Sequence, residues 1–307
     1  MTYLQSLYRG HSQFNQLRRF LLDTYQQYGA LRNWEPRRLE GTAFHNAPHE
    51  LANVETHMRT TWVMWYDSND HIIGALFNES SGSFYPQLHP KHLDVIPQMI
   101  HYLTSHPATS IDVWSHTDNQ PLTSALEAAG FRITSNYQHQ KRLNLATTQL
   151  VNPSLPDGYR IATMTTDSHA ADQMGQLLNR AFHRSFHSGA EYRTFQQMAP
   201  SYRTEFDIVI HDNQGTIVAN AGMTIHDAQS FVVIEPVATH PEHQRRGLAR
   251  AAIIHGLIRA QKRGIGTAWI EAWHSNIAAN QTYNQIGFVN VSQHYCWRYT
   301  TASTYNE

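Results

Sequence analysis

The stretch from Phe231 to Lys262 constrains the fold more than any other part of the chain. It opens on a β-branched run, Phe231-Val232-Val233-Ile234, that reads as a buried strand. A polar loop follows, His240-Pro241-Glu242-His243-Gln244-Arg245-Arg246-Gly247. A segment rich in Ala, Ile and Leu, from Ala249 to Lys262, then reads as a helix. A strand, a glycine-containing loop and a helix in this order leave the first N–H groups of the helix unpaired and turned toward the loop. The helix dipole adds partial positive charge at the same place. The junction is suited to a phosphate or pyrophosphate.

Strands and helices alternate around this junction. Tyr159 to Ala162, Phe206 to Ile210 and Thr216 to Met223 read as strands, the last two joined by a turn at Asp212-Asn213-Gln214-Gly215. Helical patterns cover about His169 to His183 and Ala190 to Met198. After the long helix come a strand, Thr267 to Trp273, and a helix, about Ala278 to Gln285. Two C-terminal strands are expected around Phe288 to Tyr299. The order predicts an α/β chain with a mixed (α+β) sheet.

A second motif is Asn276-Ile277-Ala278-Ala279-Asn280-Gln281-Thr282-Tyr283-Asn284-Gln285-Ile286-Gly287-Phe288. Asn276 is placed to cap the helix. Ala279 and Tyr283, four residues apart, share one helical face. Gly287 permits a left-handed helix end. Gln244-Arg245-Arg246-Gly247-Leu248-Ala249 resembles the acyl-CoA pyrophosphate loop of the GNAT superfamily, the acyl-CoA-dependent N-acetyltransferases, whose pattern is Gln/Arg-x-x-Gly-x-Gly/Ala. The downstream motif is similar to that family's late signature, Asn-x-x-Ala-x-x-x-Tyr-x-x-x-Gly-Phe.

The resemblance implies a mostly antiparallel central sheet flanked by helices, with acetyl-CoA as acyl donor. It assigns donor contacts to Val237, Ala238, Thr239, Gln244, Arg245, Arg246, Gly247, Leu248, Ala249, Asn276 and Ala279, and an oxyanion donor to the N–H near Val237. The acceptor is a small-molecule or peptide amine that attacks directly within a ternary complex. Glu235 is the expected general base. It ends an apolar run two residues before Val237, where partial desolvation raises a carboxylate's pKa. Glu271 is a weaker alternative. Tyr283 is the expected general acid for the departing thiolate. An acyl-CoA-binding regulatory module without turnover, and transfer to a hydroxyl acceptor, are the competing readings. The segment Phe182 to Tyr202 is a candidate acceptor wall with no recognisable specificity motif.

The first half repeats the plan. Leu88-His89-Pro90-Lys91-His92-Leu93 aligns with Thr239-His240-Pro241-Glu242-His243-Gln244, an offset of about 151 residues counted from His89 to His240. Gly130-Phe131 likewise mirrors Gly287-Phe288. In this alignment Asp94, Val95 and Ile96 fall on Arg245, Arg246 and Gly247, Phe84 falls on Glu235, and Leu126 falls on Tyr283. An acid and two bulky side chains are unsuited to pyrophosphate. The reading is therefore two tandem GNAT-like domains. Residues 1–145 form a degenerate one that does not bind coenzyme A, 146–158 a linker, and 159–307 the catalytic one.

Composition limits the alternatives. The 307 residues suit two domains, and the net charge of −1 with a pI of about 7.1 gives no field favouring nucleic acid or membrane. No apolar run reaches bilayer length, and Met1 to Ser6 show no leader pattern. The single cysteine, Cys296, suits a reducing, cytoplasmic setting and reads as buried. Histidines pair at metal-like spacings (His45/His49, His89/His92, His183/His187, His240/His243). No cysteines, HExxH pattern or clustered carboxylates accompany them, so no metal is expected.

Overall fold

Helices and strands alternate through the computed structural model, which describes residues 3–80 and 82–300. The outermost ends of both expected domains, and the first two residues of the segment read for a leader, lie outside the described residues. In chain order the elements are β1 (Leu4–Leu7), α1 (His11–Tyr28), α2 (Pro36–Phe44), α3 (Leu51–Thr61), β2 (Val63–Tyr66), β3 (Ile72–Ser80), β4 (Ser83–Leu88), α4 (Ile96–Thr104), β5 (Ser110–His116), α5 (Gln120–Ala128) and β6 (Arg132–Asn144). There follow β7 (Arg160–Thr163), α6 (Ser168–Phe182), α7 (Gly189–Met198), β8 (Asp207–His211), β9 (Ile217–His226), β10 (Phe231–Thr239), α8 (Leu248–Lys262), β11 (Thr267–Trp273), α9 (Ile277–Ile286) and β12 (Val289–Thr300). No helix among the described residues is long and apolar enough to cross a membrane.

The chain divides into two compact units that are not continuous in sequence. One comprises the described residues of Met1–Leu39, Ala52–His139 and Ser292–Glu307; the other comprises Glu40–Leu51 and Gln140–Val291. In the first, the strand order is β1-β2-β3-β4-β5-β12. Neighbours run antiparallel except β4 and β5, which are parallel. In the second, the order is β6-β11-β10-β9-β8-β7, with β10 and β11 parallel and β7 to β10 antiparallel in turn. The plans match, and each unit takes its last strand from the opposite half of the sequence.

Two C-terminal strands were expected after α9, and among the described residues there is one, β12. Its residues contain no Gly or Pro to turn the chain, and Ser292, His294 and Cys296 are buried in unbroken period-two alternation. Residues 146–158 have little regular structure but are held in place. Gln261 Nε2 donates to the carbonyls of Leu145 and Thr148, and Leu150 and Leu155 pack on the core of the second unit.

Helices cover the second unit's sheet on both faces. Ile208, Ala221, Met223, Val232 and Ala268 meet Ala252, Ile253 and Leu257 of α8. Met174 and Leu178 of α6 and Tyr192 of α7 pack against Val209, Ile217 and Ala238. Every residue of β9 is buried as a result, like strands covered on both sides in α/β folds. Gly256 lets α8 come this close, because a Cβ there lies within 2.4 Å of the Met223 methyl group.

Candidate functional site

β10 is shared unequally by its neighbours. It pairs with β9 as far as Thr239↔Ala219, but its parallel register with β11 runs only from Phe231↔Thr267 to Val233↔Trp269. Past that point the two strands part. A bulge sits just beyond the split, where the register with β9 shifts between Ile234 and Val237. The bulge rests on Gly222, where a Cβ would lie 2.8 Å from the Glu235 carbonyl and 3.0 Å from the Pro236 ring. Val237 and Thr239 thus carry backbone polar groups on the side turned away from β9, while those of Ala238, between them, face it, and Gln244 Nε2 reaches the Thr239 carbonyl at 3.5 Å.

The bulge corrects one expectation. Glu235 is exposed, not desolvated, because the extra residues at Glu235-Pro236 break the alternation that placed it beside Val237 on an apolar face. On β11, Glu271 is half-buried and accepts from Gln140 Nε2 at 3.0 Å.

The loop from His240 to Gly247 has two left-handed residues, Arg245 at φ 58° and Gly247 at φ 77°. Such alternation makes the backbone concave, with its N–H groups turned inward. Gly247 is the N-cap of α8 and makes no side-chain cap, so the helix's first N–H groups face the loop. Gln244 to Gly247 are exposed, and Leu248 is buried and anchors the helix start in the core.

The two arginines separate. The Arg246 guanidinium donates to Tyr159 Oη at 2.8 Å and to the Glu242 carbonyl at 3.3 Å, and Tyr159 Oη also meets His243 Nδ1 at 2.9 Å. Arg246, itself exposed, therefore braces the loop, and Arg245 and Arg250 of the first helical turn are exposed as well. The sequence reading gave Tyr159 and His243 no part in bracing the loop, because the loop motif does not extend to them.

On α9 the helix ends are formed as expected. Asn276 Oδ1 accepts from Ala279 N at 3.1 Å, and Gly287 closes the helix at φ 110° with Phe288 N donating to the Tyr283 carbonyl. Tyr283 is buried, 6% exposed. Burial, and then the negative charge of Glu235, push its phenol above the usual range, so it stays protonated. Lys141, buried on β6, donates to Asn284 Oδ1 at 3.0 Å and Asn290 Oδ1 at 2.5 Å, tying down the end of α9. Cys296 is buried, which pushes its thiol up to about 11 and leaves little thiolate.

The segment Phe182 to Tyr202 is partly framework. Tyr192 and Tyr202 both donate to Asp207 Oδ2, and Asn220 Nδ2 donates to its Oδ1 at 2.8 Å. Burial and the charge of Asp207 push the Tyr202 phenol far up. Phe182 and Phe186 are exposed, with the Arg184 guanidinium 5.3 and 5.5 Å from their ring centres. Burial opposes ionisation of Glu191, but hydrogen bonds and charge from His187 and His45 outweigh it and hold the carboxyl down at about 2.

Residues 171–288 match the acetyltransferase (GNAT) family. That range runs from α6 through the split strands, the loop and α9 to Phe288, so the chain carries a GNAT acetyltransferase domain. The ribosomal protein bS18-alanine N-acetyltransferase of Escherichia coli (strain K12) is 42% identical over 52 residues, 17% of this chain and 35% of that protein. The mycothiol acetyltransferase of Thermobispora bispora is 28% identical over 188 residues, 58% of this chain and 62% of that protein. Both matches span less than two thirds of the relative's length. Among solved structures, a tandem GNAT protein from the clavulanic acid biosynthesis pathway superposes with a TM-score of 0.63 at 11% identity, covering 97% of this chain and 98% of that one. At that identity the likeness is one of fold, and the fold is GNAT-like in both units.

Proposed function

We propose that the GNAT domain of this chain transfers an acetyl group from acetyl-CoA to an amine by direct attack in a ternary complex. The observation that carries the reading is the parting of β10 from β11 immediately before a loop with two left-handed residues and an uncapped helix start. The parted strand offers backbone groups at Val237 and Thr239 to the pantetheine arm. The loop at Gln244, Arg245, Arg246, Gly247, Leu248 and Ala249 takes the pyrophosphate, with Arg246 acting through its brace. Asn276 and Ala279 line the start of α9.

In this scheme the amine attacks the thioester, and the N–H near Val237 receives the oxyanion. Glu235, exposed at the bulge, takes the amine's proton through water. Tyr283, kept protonated by burial, returns a proton to the coenzyme A thiolate. Residues 1–145 act as a scaffold that binds no coenzyme A, 146–158 connect, and 159–307 carry the chemistry.

Steady-state rates with an amine panel, paired with calorimetric titration of acetyl-CoA, test the scheme. Tyr283→Phe is expected to lower kcat by roughly 10- to 100-fold and Glu235→Gln to lower turnover at neutral pH, each with donor affinity nearly unchanged. Wild-type rates in both variants remove the two proton carriers from the scheme. Tight donor binding with no thiol release for any amine replaces turnover by a binding-only role.

A further inference from the structure

The start of α7 gathers side chains that acetyl transfer does not use. Glu191, in the first turn of α7, accepts from Ser188 N through Oε2 at 3.1 Å and completes a capping box. Its Oε1 lies 2.6 Å from His45 Nδ1 and 3.0 Å from His187 Nδ1. The two imidazoles approach from different directions, with ring centres 5.7 Å apart and planes at 62°. Side-chain exposure is 7% for Glu191 and His187 and 17% for His45.

Each donor is positioned by bonds of its own. His187 is clasped by Asn179, whose side chain accepts from His187 N at 3.0 Å and donates to His187 O at 2.8 Å. The stretch bearing His45 is pinned where Glu40, fully buried, accepts from Ser201 N at 2.9 Å and Ser201 Oγ at 2.7 Å.

The geometry points to a divalent metal site of the zinc class formed by His45 Nδ1, His187 Nδ1 and the Glu191 carboxylate. The three donor atoms lie within 4.8 Å of one another, close enough for one cation to reach all three with ligand bonds of about 2.0–2.2 Å. Two imidazoles and one carboxylate suit Zn²⁺ or its first-row neighbours, not Mg²⁺ or Ca²⁺, which take oxygen ligands. Protons on the two Nδ1 atoms now make the hydrogen bonds to Glu191. A bound cation takes the place of these protons at Nδ1, and each imidazole then carries its hydrogen on Nε2. Three protein ligands leave a fourth position for water. The site clamps the His45 stretch to α7 and needs none of Glu235, Tyr283 or the 240–247 loop.

Chelator-treated full-length protein is titrated with Co²⁺ and followed by visible absorption. The expected result is a d–d band saturating at one Co²⁺ per chain, displaced by Zn²⁺, with a higher thermal midpoint when Zn²⁺ is bound. His45→Ala and His187→Ala are expected to lose the band while keeping the parent's circular dichroism. Glu191→Gln, of similar volume, serves where a histidine variant does not fold. A parent with no saturable band overturns the assignment. So does a band that persists in the folded variants, which places the metal elsewhere, such as at His240, Glu242 and His243, which also lie close together. The readout is independent of turnover, so its failure and that of the acetyl-transfer reading are separable.

Discussion

Two strand–loop–helix junctions, one in each unit, share their first half down to single hydrogen bonds and then diverge. His89 Nδ1 accepts from Lys91 N at 3.2 Å, and His240 Nδ1 accepts from Glu242 N at 3.3 Å. His89 and His92 stand 5.4 Å apart between ring centres, His240 and His243 5.5 Å. A tyrosine just ahead of each unit's first strand meets the second histidine edge-on, Tyr3 on His92 and Tyr159 on His243. There the sign inverts. Tyr3 Oη donates to Asp94 at 2.5 Å, whereas Tyr159 Oη accepts from Arg246 at 2.8 Å.

The backbone diverges with the charge. Residues Leu93–Val95 form a 3₁₀ turn that runs directly into α4, with Val95 at φ −76° and Ile96 at φ −52°. The N–H groups of that turn stay within a helical path, and no left-handed residue opens a concavity. The strand split differs too. β4 and β5 part after Phe84↔Val113, and the next residues, Tyr85 and Trp114, stack their rings at 6.1 Å. In the second unit the split comes after Val233↔Trp269, two residues off the offset that sets Phe84 on Glu235, and Ile234 and Ile270 follow it, then the bulge. The comparison teaches that the framework contacts and the features proposed to bind pyrophosphate are separable. One unit keeps the first without the second.

The largest effect is expected from exchanging charge. Arg245→Asp puts the acid of the first unit beside the proposed pyrophosphate site and should weaken acetyl-CoA binding by roughly 30-fold or more, since each surface charge is worth about 1 kcal/mol or more at contact distance. Calorimetry at two salt concentrations measures it. The reciprocal Asp94→Arg should leave the stoichiometry at one acetyl-CoA per chain, because the Tyr85–Trp114 stack and the helical turn remain. Two per chain would mean that charge alone separated the units.

Backbone comes next. A Cβ on Gly247 meets nothing within 4 Å, so the glycine's intramolecular role there is conformational. Gly247→Val forces the loop from its left-handed conformation at a cost of about 1–3 kcal/mol and should weaken binding about tenfold. Gly247→Asn, which tolerates that conformation, should lose less. Equal losses would show that the ligand needs the space itself. The smallest effect belongs to the tyrosines. Tyr159→Phe removes the Arg246 brace, a hydrogen bond worth about 0.5–1.5 kcal/mol, and should weaken donor binding a few-fold, while Tyr3→Phe leaves it unchanged. Equal titration curves for the two variants would erase the functional difference between the junctions.

Much of the candidate site was legible because its features are local. Asn276 caps α9 and Gly287 ends it, as the motif implied, because capping depends on residues three or four positions apart. The loop's position between β10 and α8 followed from Phe231 to Ile234 and the Ala-rich run after Gly247. The exposure of Glu235 was not legible, since the bulge arises from packing against Gly222 on another strand. Nor was the tie between Arg246 and Tyr159, which are 87 residues apart.

The histidines make the same point. His45/His49 and His183/His187 were weighed as spaced pairs, yet the structure joins one member of each through Glu191. By itself the sequence determined the strand–loop–helix order, the helix caps, the left-handed glycine and the repeated His-Pro-x-His turn, because short-range sterics and hydrogen bonds suffice for these. Only the tertiary structure decided that each unit ends its sheet with a strand from the opposite half of the chain, where β10 and β11 part, and which distant side chains converge. Those outcomes depend on which buried faces and backbone edges find partners across long loops, and residue spacing carries no record of that choice.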